Sequence, residues 1–129
     1  MRFNFVAEGD KFSFRYLLAS NEYGQYQCVY SDALAFILTD ITSEKTIPSK
    51  NLAVVPGTST VTLAYDGKPV SVTNIRNTMY NSNCPNSNQT YFGQYNVAPI
   101  GDPSKSAINM REQTVVFDCL SRYYSFSSI

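Results

Sequence analysis

The chain has 129 residues, which is enough for one domain with a modest hydrophobic core. Ten basic and ten acidic residues cancel to a formal net charge of zero, so we expect neither nucleic acid nor an anionic membrane as a partner. The absence of histidine excludes Ser-His and Cys-His catalytic pairs as well as imidazole metal ligands.

Two segments near the start of the chain alternate between apolar and polar side chains. Residues 3–5 and 12–18 both show this two-residue period, which is typical of strands with one buried face. The turn sequence Glu8-Gly9-Asp10 lies between them. We predict that the two segments pair with each other as a hairpin. The polar and aromatic stretch 21–31 then predicts a loop.

The middle of the chain contains further strand signals. Residues 33–39 are almost continuously apolar and predict a central strand covered on both faces, with a short helix as the alternative. Residues 52–55 predict a short strand that ends at Pro56-Gly57. Alternation on both sides of Asp66-Gly67 predicts a second hairpin, because this dipeptide suits a two-residue turn with positive φ.

The last third of the chain begins with a long polar stretch. Residues 74–106 are rich in Asn, Ser, Pro and Gly and predict a loop that holds a short strand near residues 90–92. Residues 114–117 and 123–126 predict two more strands. No stretch has a sustained helical period, and none is apolar enough over sufficient length to span a bilayer. The short strands with turn residues between them therefore predict an all-β fold, an antiparallel β-sandwich.

Three cysteines, Cys28, Cys84 and Cys119, are too few and too scattered for a zinc site. Any one disulfide among them leaves one thiol over. A disulfide fits a secreted protein, whereas three free thiols would fit a cytosolic one. Composition leaves both interpretations open.

Several segments follow the order of a known bacterial family. The string FNFVAEGDKFSFRYLLASNEY, residues 3–23, combines an aromatic strand, a Glu-Gly-Asp turn, Phe-Arg-Tyr and an acidic residue before tyrosine. It resembles the signature of the choice-of-anchor L domain. The later segments in the same order are SDALAFILTD at 31–40, NLAVVPGT at 51–58, PVSVTNI at 69–75, and Asn83-Cys84. The chain departs from the family pattern at Asn21, where the family has Glu, and at Ser31, where it has Asn.

The resemblance implies a secreted protein of the bacterial cell surface, whose signal peptide and anchoring signal lie outside this chain. It implies that residues 1–129 form a single β-sandwich domain of jelly-roll or lectin-like type, or the middle portion of one. The family order also favours a disulfide between Cys28 and Cys84, which leaves Cys119 free. Closing that loop would stabilise the fold by about 4 kcal/mol.

Two acidic residues, Glu22 and Asp32, match acidic positions of the family, and Asp10 lies in the preceding turn. Carboxylates that converge from loops could bind calcium, which takes several oxygen ligands. The alternative is that Glu22 and Asp32 cap backbone amides of their own loop. A paired-carboxylate glycosidase using the same two residues is the enzymatic alternative, which we discount because nothing in the sequence supplies an acid with a raised pKa.

The function that these features predict is a binding or adhesion module with a glycan or protein ligand. It is not expected to be an enzyme or to need a cofactor other than calcium. A structural spacer without a ligand is the alternative, with a carbohydrate-active hydrolase in third place, and the oligomeric state is left open. Aromatic and Asn-rich loops supply the candidate ligand contacts, which are Tyr23, Tyr26, Tyr30, Tyr80, Tyr91 and Tyr95.

Overall fold

The computed structural model describes residues 1–43, 48–59, 67–79, 81–95, 108–110, 112–119 and 123–129. Within these ranges all regular elements are antiparallel strands or single-turn 3-10 helices, so the all-β prediction is confirmed. The 3-10 helices span Gly24–Tyr26 and Gln89–Tyr91. No helix in the described part of the chain has the length and apolar character needed to cross a membrane. The strands are β1 (Arg2–Val6), β2 (Lys11–Tyr16), β3 (Ala19–Ser20), β4 (Phe36–Asp40), β5 (Lys50–Asn51), β6 (Phe92–Tyr95), β7 (Ile108–Met110), β8 (Gln113–Asp118) and β9 (Tyr123–Ser128).

The strands form three antiparallel sheets. The largest has four strands in the order β1-β9-β4-β5, a second pairs β2 with β8, and the third has the order β3-β7-β6. Strand β4 therefore lies between β9 and β5, which confirms a central strand in this segment, although it spans Phe36–Asp40 rather than the predicted residues 33–39. Each of the first four strands of the chain thus has at least one partner strand far away in the sequence.

The two ends of the described chain run together as one long ribbon. Val6 pairs with Tyr123 at the end of the β1–β9 ladder, and Lys11 pairs with Asp118 at the start of the β2–β8 ladder. The number of positions between the two ladders is the same on both sides of the ribbon. The two ladders therefore have the same pairing register. Within that interval the Cys119 N–H donates to the Asp10 carbonyl oxygen at 2.8 Å. The ribbon passes from the four-stranded sheet to the two-stranded sheet at this place.

This ribbon overturns the predicted hairpin between residues 3–5 and 12–18. The Glu8-Gly9-Asp10 segment carries the chain from one sheet to the other, and β1 and β2 pair with β9 and β8 instead of with each other. The two-residue period fixes which side chains share a face, but it does not select the partner strand. The partners are aromatic strands from the far end of the chain, and they bring Phe126 beside Phe3.

Two further predictions are corrected in their boundaries. The strand expected at residues 52–55 is β5 at Lys50–Asn51, followed by a single bridge between Val54 and Pro69. The strand expected near residues 90–92 begins at Phe92, after a 3-10 turn. Residues 60–66, which include most of the hairpin predicted around Asp66-Gly67, lie outside the described ranges.

The core consists of two groups of buried side chains, and three partly buried residues join them. Phe14, Phe36 and Val115 pack against both groups. The ring of Phe36 meets Phe14 edge-on at 5.2 Å and Phe126 in a stacked arrangement at 5.5 Å between centroids. One group contains Leu38, Leu52, Phe117, Tyr124 and Phe126, and the other includes Tyr16, Tyr23, Val55, Val70, Val72, Ile75 and Phe92. Each such aliphatic or aromatic side chain contributes about 1.5–3 kcal/mol by leaving water.

Candidate functional site

Two loops, residues 24–30 and 77–84, are joined covalently and form the candidate site. Cys28 and Cys84 form a disulfide with a Cα–Cα distance of 5.8 Å, so the predicted pairing is confirmed. The two cysteines are separated by 56 positions in the sequence. The cross-link therefore closes a long loop, which lowers the entropy of the unfolded chain.

Hydrogen bonds brace the same two loops. The Gln27 side chain is fully buried, and its Nε2 donates to the Asn77 carbonyl oxygen at 2.6 Å. Arg76 donates from its guanidinium to the Gln27 carbonyl oxygen at 3.2 Å, and Asn81 donates from its side chain to the Gly24 carbonyl oxygen at 3.4 Å. The disulfide and these contacts together hold both loops in one arrangement.

The 3-10 turn at Gly24–Tyr26 places two tyrosines on the surface. Gly24 adopts a φ of 71°, a left-handed conformation that favours glycine. The N–H groups of Val29 and Tyr30 both donate to the Tyr26 carbonyl oxygen, at 2.8 and 2.9 Å. The rings of Tyr26 and Tyr30 lie 6.0 Å apart at an angle of 52°. We call the exposed side chains of Tyr26, Val29 and Tyr30 the aromatic patch.

The aromatic patch is well exposed for apolar side chains. Tyr26 is 39% exposed, Tyr30 is 59% exposed and Val29 is 68% exposed. Neither loop contains a charged residue. An exposed group of large apolar side chains on a braced loop is typical of a contact surface, whereas isolated exposed apolar residues are common on any protein.

The other predicted tyrosines are placed differently. Tyr23 is 0% exposed and packs edge-on against Phe92 with 5.3 Å between ring centroids, so it is a core residue and not a surface contact. Tyr91 is half-buried, and its hydroxyl donates to the Pro56 carbonyl oxygen at 3.5 Å. Tyr80 and the side chain of Tyr95 lie outside the described residues. The sequence does not separate Tyr23 from Tyr26, because tyrosine suits both a core and a contact surface.

The predicted calcium ligands are not brought together as a set. Asp32 accepts a hydrogen bond from the Ser20 hydroxyl at 2.6 Å, and the Glu22 N–H donates to the same hydroxyl oxygen at 3.0 Å. In these contacts the Ser20 hydroxyl, rather than the Glu22 or Asp32 carboxylate, accepts the backbone N–H, so capping of backbone amides by these two carboxylates stays a prediction. Asp10 lies beyond the other end of β2, at the bend of the ribbon.

Across the described ranges, no group of three or more acidic or cysteine side chains lies close enough to hold a metal ion. Asp10, Glu22 and Asp32 therefore do not form such a group. Calcium binding at Glu22 and Asp32 stays a prediction.

Cys119 keeps a free thiol, as the resemblance implied. Burial, together with the nearby carboxylates of Asp10 and Asp118, raises the pKa of this thiol. A raised pKa keeps the sulfur in the poorly nucleophilic thiol form at neutral pH. The thiol borders an open cleft of about 370 Å³ at the bend of the ribbon, whose walls include Phe5, Ala7 and Phe12.

Comparison with known protein families places the chain beside one of them. A family model described as the choice-of-anchor L domain matches residues 1–122. No curated protein and no solved structure matches the chain. The matched range contains both loops of the candidate site and the disulfide that joins them.

Proposed function

Because this chain belongs to the choice-of-anchor L domain family, we propose that it is an extracellular binding module of a bacterial surface protein, with the aromatic patch as its contact surface. Family membership makes the chain a module of a bacterial surface protein and points to a non-enzymatic role. The Cys28–Cys84 disulfide fits an oxidising, extracellular location. Binding and adhesion are the further step that we propose.

The observation that carries the proposal is the pair of exposed tyrosine rings on a cross-linked loop. Tyrosine offers a large amphipathic contact area and loses little conformational entropy on binding. The disulfide and the Gln27 contact restrict the loop before any ligand arrives. Because a surface that is already ordered loses less entropy on association, its contacts contribute more to affinity.

The ligand class that suits this surface is a neutral glycan or an uncharged protein surface. Both loops of the site lack charged residues, and their side chains include the amides of Asn77, Asn81 and Asn83. Aromatic rings stack on the apolar faces of sugars, and amides exchange hydrogen bonds with hydroxyl groups. The same combination of tyrosine and amide side chains also occurs in protein-binding loops.

The test compares the wild-type chain with patch variants on a glycan array and on a panel of bacterial and host surface proteins. We expect Tyr26→Ala and Tyr30→Ala each to weaken binding by about thirtyfold, the cost of losing an interfacial hot-spot tyrosine. Tyr123→Ala is the matched control, because Tyr123 is also an exposed tyrosine, at 51%, but belongs to β9.

The control variant should retain wild-type binding, and all variants should retain the wild-type melting temperature. A wild-type chain that binds nothing on either panel would contradict the proposal and favour the spacer alternative. Binding that persists in the Tyr26→Ala, Tyr30→Ala double variant would show that the contact surface lies elsewhere.

A further inference from the structure

Strand β1 is one edge of the four-stranded sheet. Its inner neighbour is β9, and none of the described strands pairs with its outer side. The opposite edge of the sheet is β5, which has only two residues and contains Lys50. Natural proteins protect sheet edges by such short strands and by lysine, so the β5 edge is protected whereas β1 presents five residues.

The direction of the backbone groups of β1 follows from its pairing. The Met1 carbonyl oxygen accepts a hydrogen bond from the Ser128 N–H at 2.9 Å, and the Met1 amine donates to the Ser128 carbonyl oxygen at 3.4 Å. Residues of an antiparallel strand alternate between facing one neighbour and facing the other. The backbone N–H and C=O groups of Phe3 and Phe5 therefore face β9. Those of Arg2, Asn4 and Val6 point to the outer side.

Among the residues that the structure describes, no device on this outer edge blocks another strand. The segment Arg2–Val6 contains no proline, glycine, lysine or bulge. Its one charged side chain, Arg2, donates from Nε to the Ser125 hydroxyl at 3.3 Å and so lies over its own sheet. Phe3 packs on Phe126 at 5.2 Å but is still 40% exposed.

We propose that β1 is a self-association surface, on which β1 of a second copy of this chain adds antiparallel about a two-fold axis at Asn4. Asn4 then lies opposite Asn4, and Arg2 lies opposite Val6 of the other copy. Each of these outward-facing pairs exchanges both of its backbone hydrogen bonds, as antiparallel partners do. The four-stranded sheet of one copy continues into that of the other.

The side chains of β1 are complementary to themselves in this register. Phe3 of one copy lies opposite Phe5 of the other, and aromatic cross-strand pairs are favourable. Arg2 meets no like charge, because its opposite number is Val6, and Glu8 follows two positions further along. A register shifted by two residues keeps fewer of the outward-facing pairs of β1.

The association is expected to be weak in dilute solution. A contact made by one five-residue strand per copy is smaller than a standard protein interface. This step rests on the proposed surface role: copies held side by side on one surface have a raised effective concentration for one another. Weak pairing of β1 would therefore matter most between copies held on one surface.

The experiment measures the self-association of the full chain by sedimentation equilibrium up to millimolar concentration. Asn4→Pro removes an N–H that points away from β9, so it should leave the fold intact and weaken dimerisation by at least about tenfold. Asn4→Thr is the matched control, because it keeps the N–H and favours a strand. It should associate at least as tightly as the wild type.

Asn4→Lys is the second variant, and it decides the question if Asn4→Pro does not fold. It leaves the backbone unchanged and places two like charges opposite each other across the two-fold axis, so it should also weaken the dimer. A wild-type chain that stays monomeric at millimolar concentration would overturn the proposal. Dimerisation that Asn4→Lys or a folded Asn4→Pro variant leaves unchanged would overturn it as well.

Discussion

Removal of the Cys28–Cys84 disulfide should lower the free energy of unfolding by about 4 kcal/mol. The two cysteines are 56 positions apart, and closing a loop of that length removes entropy worth about 4 kcal/mol from the unfolded chain. The perturbation is the Cys28→Ala, Cys84→Ala double variant. Because Cys84 is 1% exposed, its truncation adds a small cavity cost of about 1 kcal/mol.

The native loops should keep their arrangement in this variant. The Gln27–Asn77 and Arg76–Gln27 hydrogen bonds remain, and each contributes about 1 kcal/mol. The loss of stability should therefore arise mainly in the unfolded state. A less constrained unfolded chain exposes more surface, so the dependence of the unfolding free energy on denaturant should become steeper.

The assay is equilibrium unfolding in urea, with the wild type measured in the oxidised form and again after reduction. Reduction breaks the cross-link without truncating a side chain, so the reduced wild type should be slightly more stable than the double variant. Cys119→Ala removes a thiol without removing a cross-link, and it should change stability much less. A loss below about 1 kcal/mol in the reduced wild type would refute the loop-closure argument.

Two further predictions concern the core. Phe36→Ala should lower the free energy of unfolding by about 3 kcal/mol, because this ring packs against both groups of the core. Equilibrium unfolding in urea measures the loss. A loss below about 1 kcal/mol would show that the two groups are joined in another way. Burial raises the pKa of Tyr16 to about 12, so the stability that its neutral form contributes should be complete below pH 10 and should be lost as the pH rises towards 12. Tyr16→Phe should remove this alkaline loss of stability. It should change the stability little at neutral pH, because the Tyr16 hydroxyl is buried without a hydrogen-bond partner among the described residues. A dependence of the melting temperature on alkaline pH identical to that of the wild type would contradict the assignment of this loss to Tyr16.

Strand positions were predictable in several places, including two short runs rich in apolar and aromatic residues near the end of the chain. Residues 114–117 and 123–126 were expected as strands and lie within β8 and β9. Residues 52–55 were misplaced, because a short run of apolar residues is compatible with any buried extended segment. Leu52, Ala53 and Val55 are indeed buried, but they lie beyond the end of β5.

The candidate site was only partly predictable. The disulfide was expected from the family order. It joins two loops for which composition alone predicts only a polar character. The aromatic residues Tyr23 and Tyr26 are three positions apart in one loop, and yet one is buried and the other is exposed. The left-handed turn at Gly24 separates them, and the surrounding packing decides which ring enters the core.

The sequence by itself determined the β class, the neutral surface and the faces of the strongest strands, because these depend on composition and on a local two-residue period. Only the tertiary structure decided that β1 pairs with β9, that Asp10, Glu22 and Asp32 do not form one metal-binding group, and that none of the described strands pairs with the outer side of β1. The physical reason is that many strands share the same alternation, so it does not distinguish one partner from another. The choice of partner depends on how all aromatic faces pack into one core, which is a property of the whole chain.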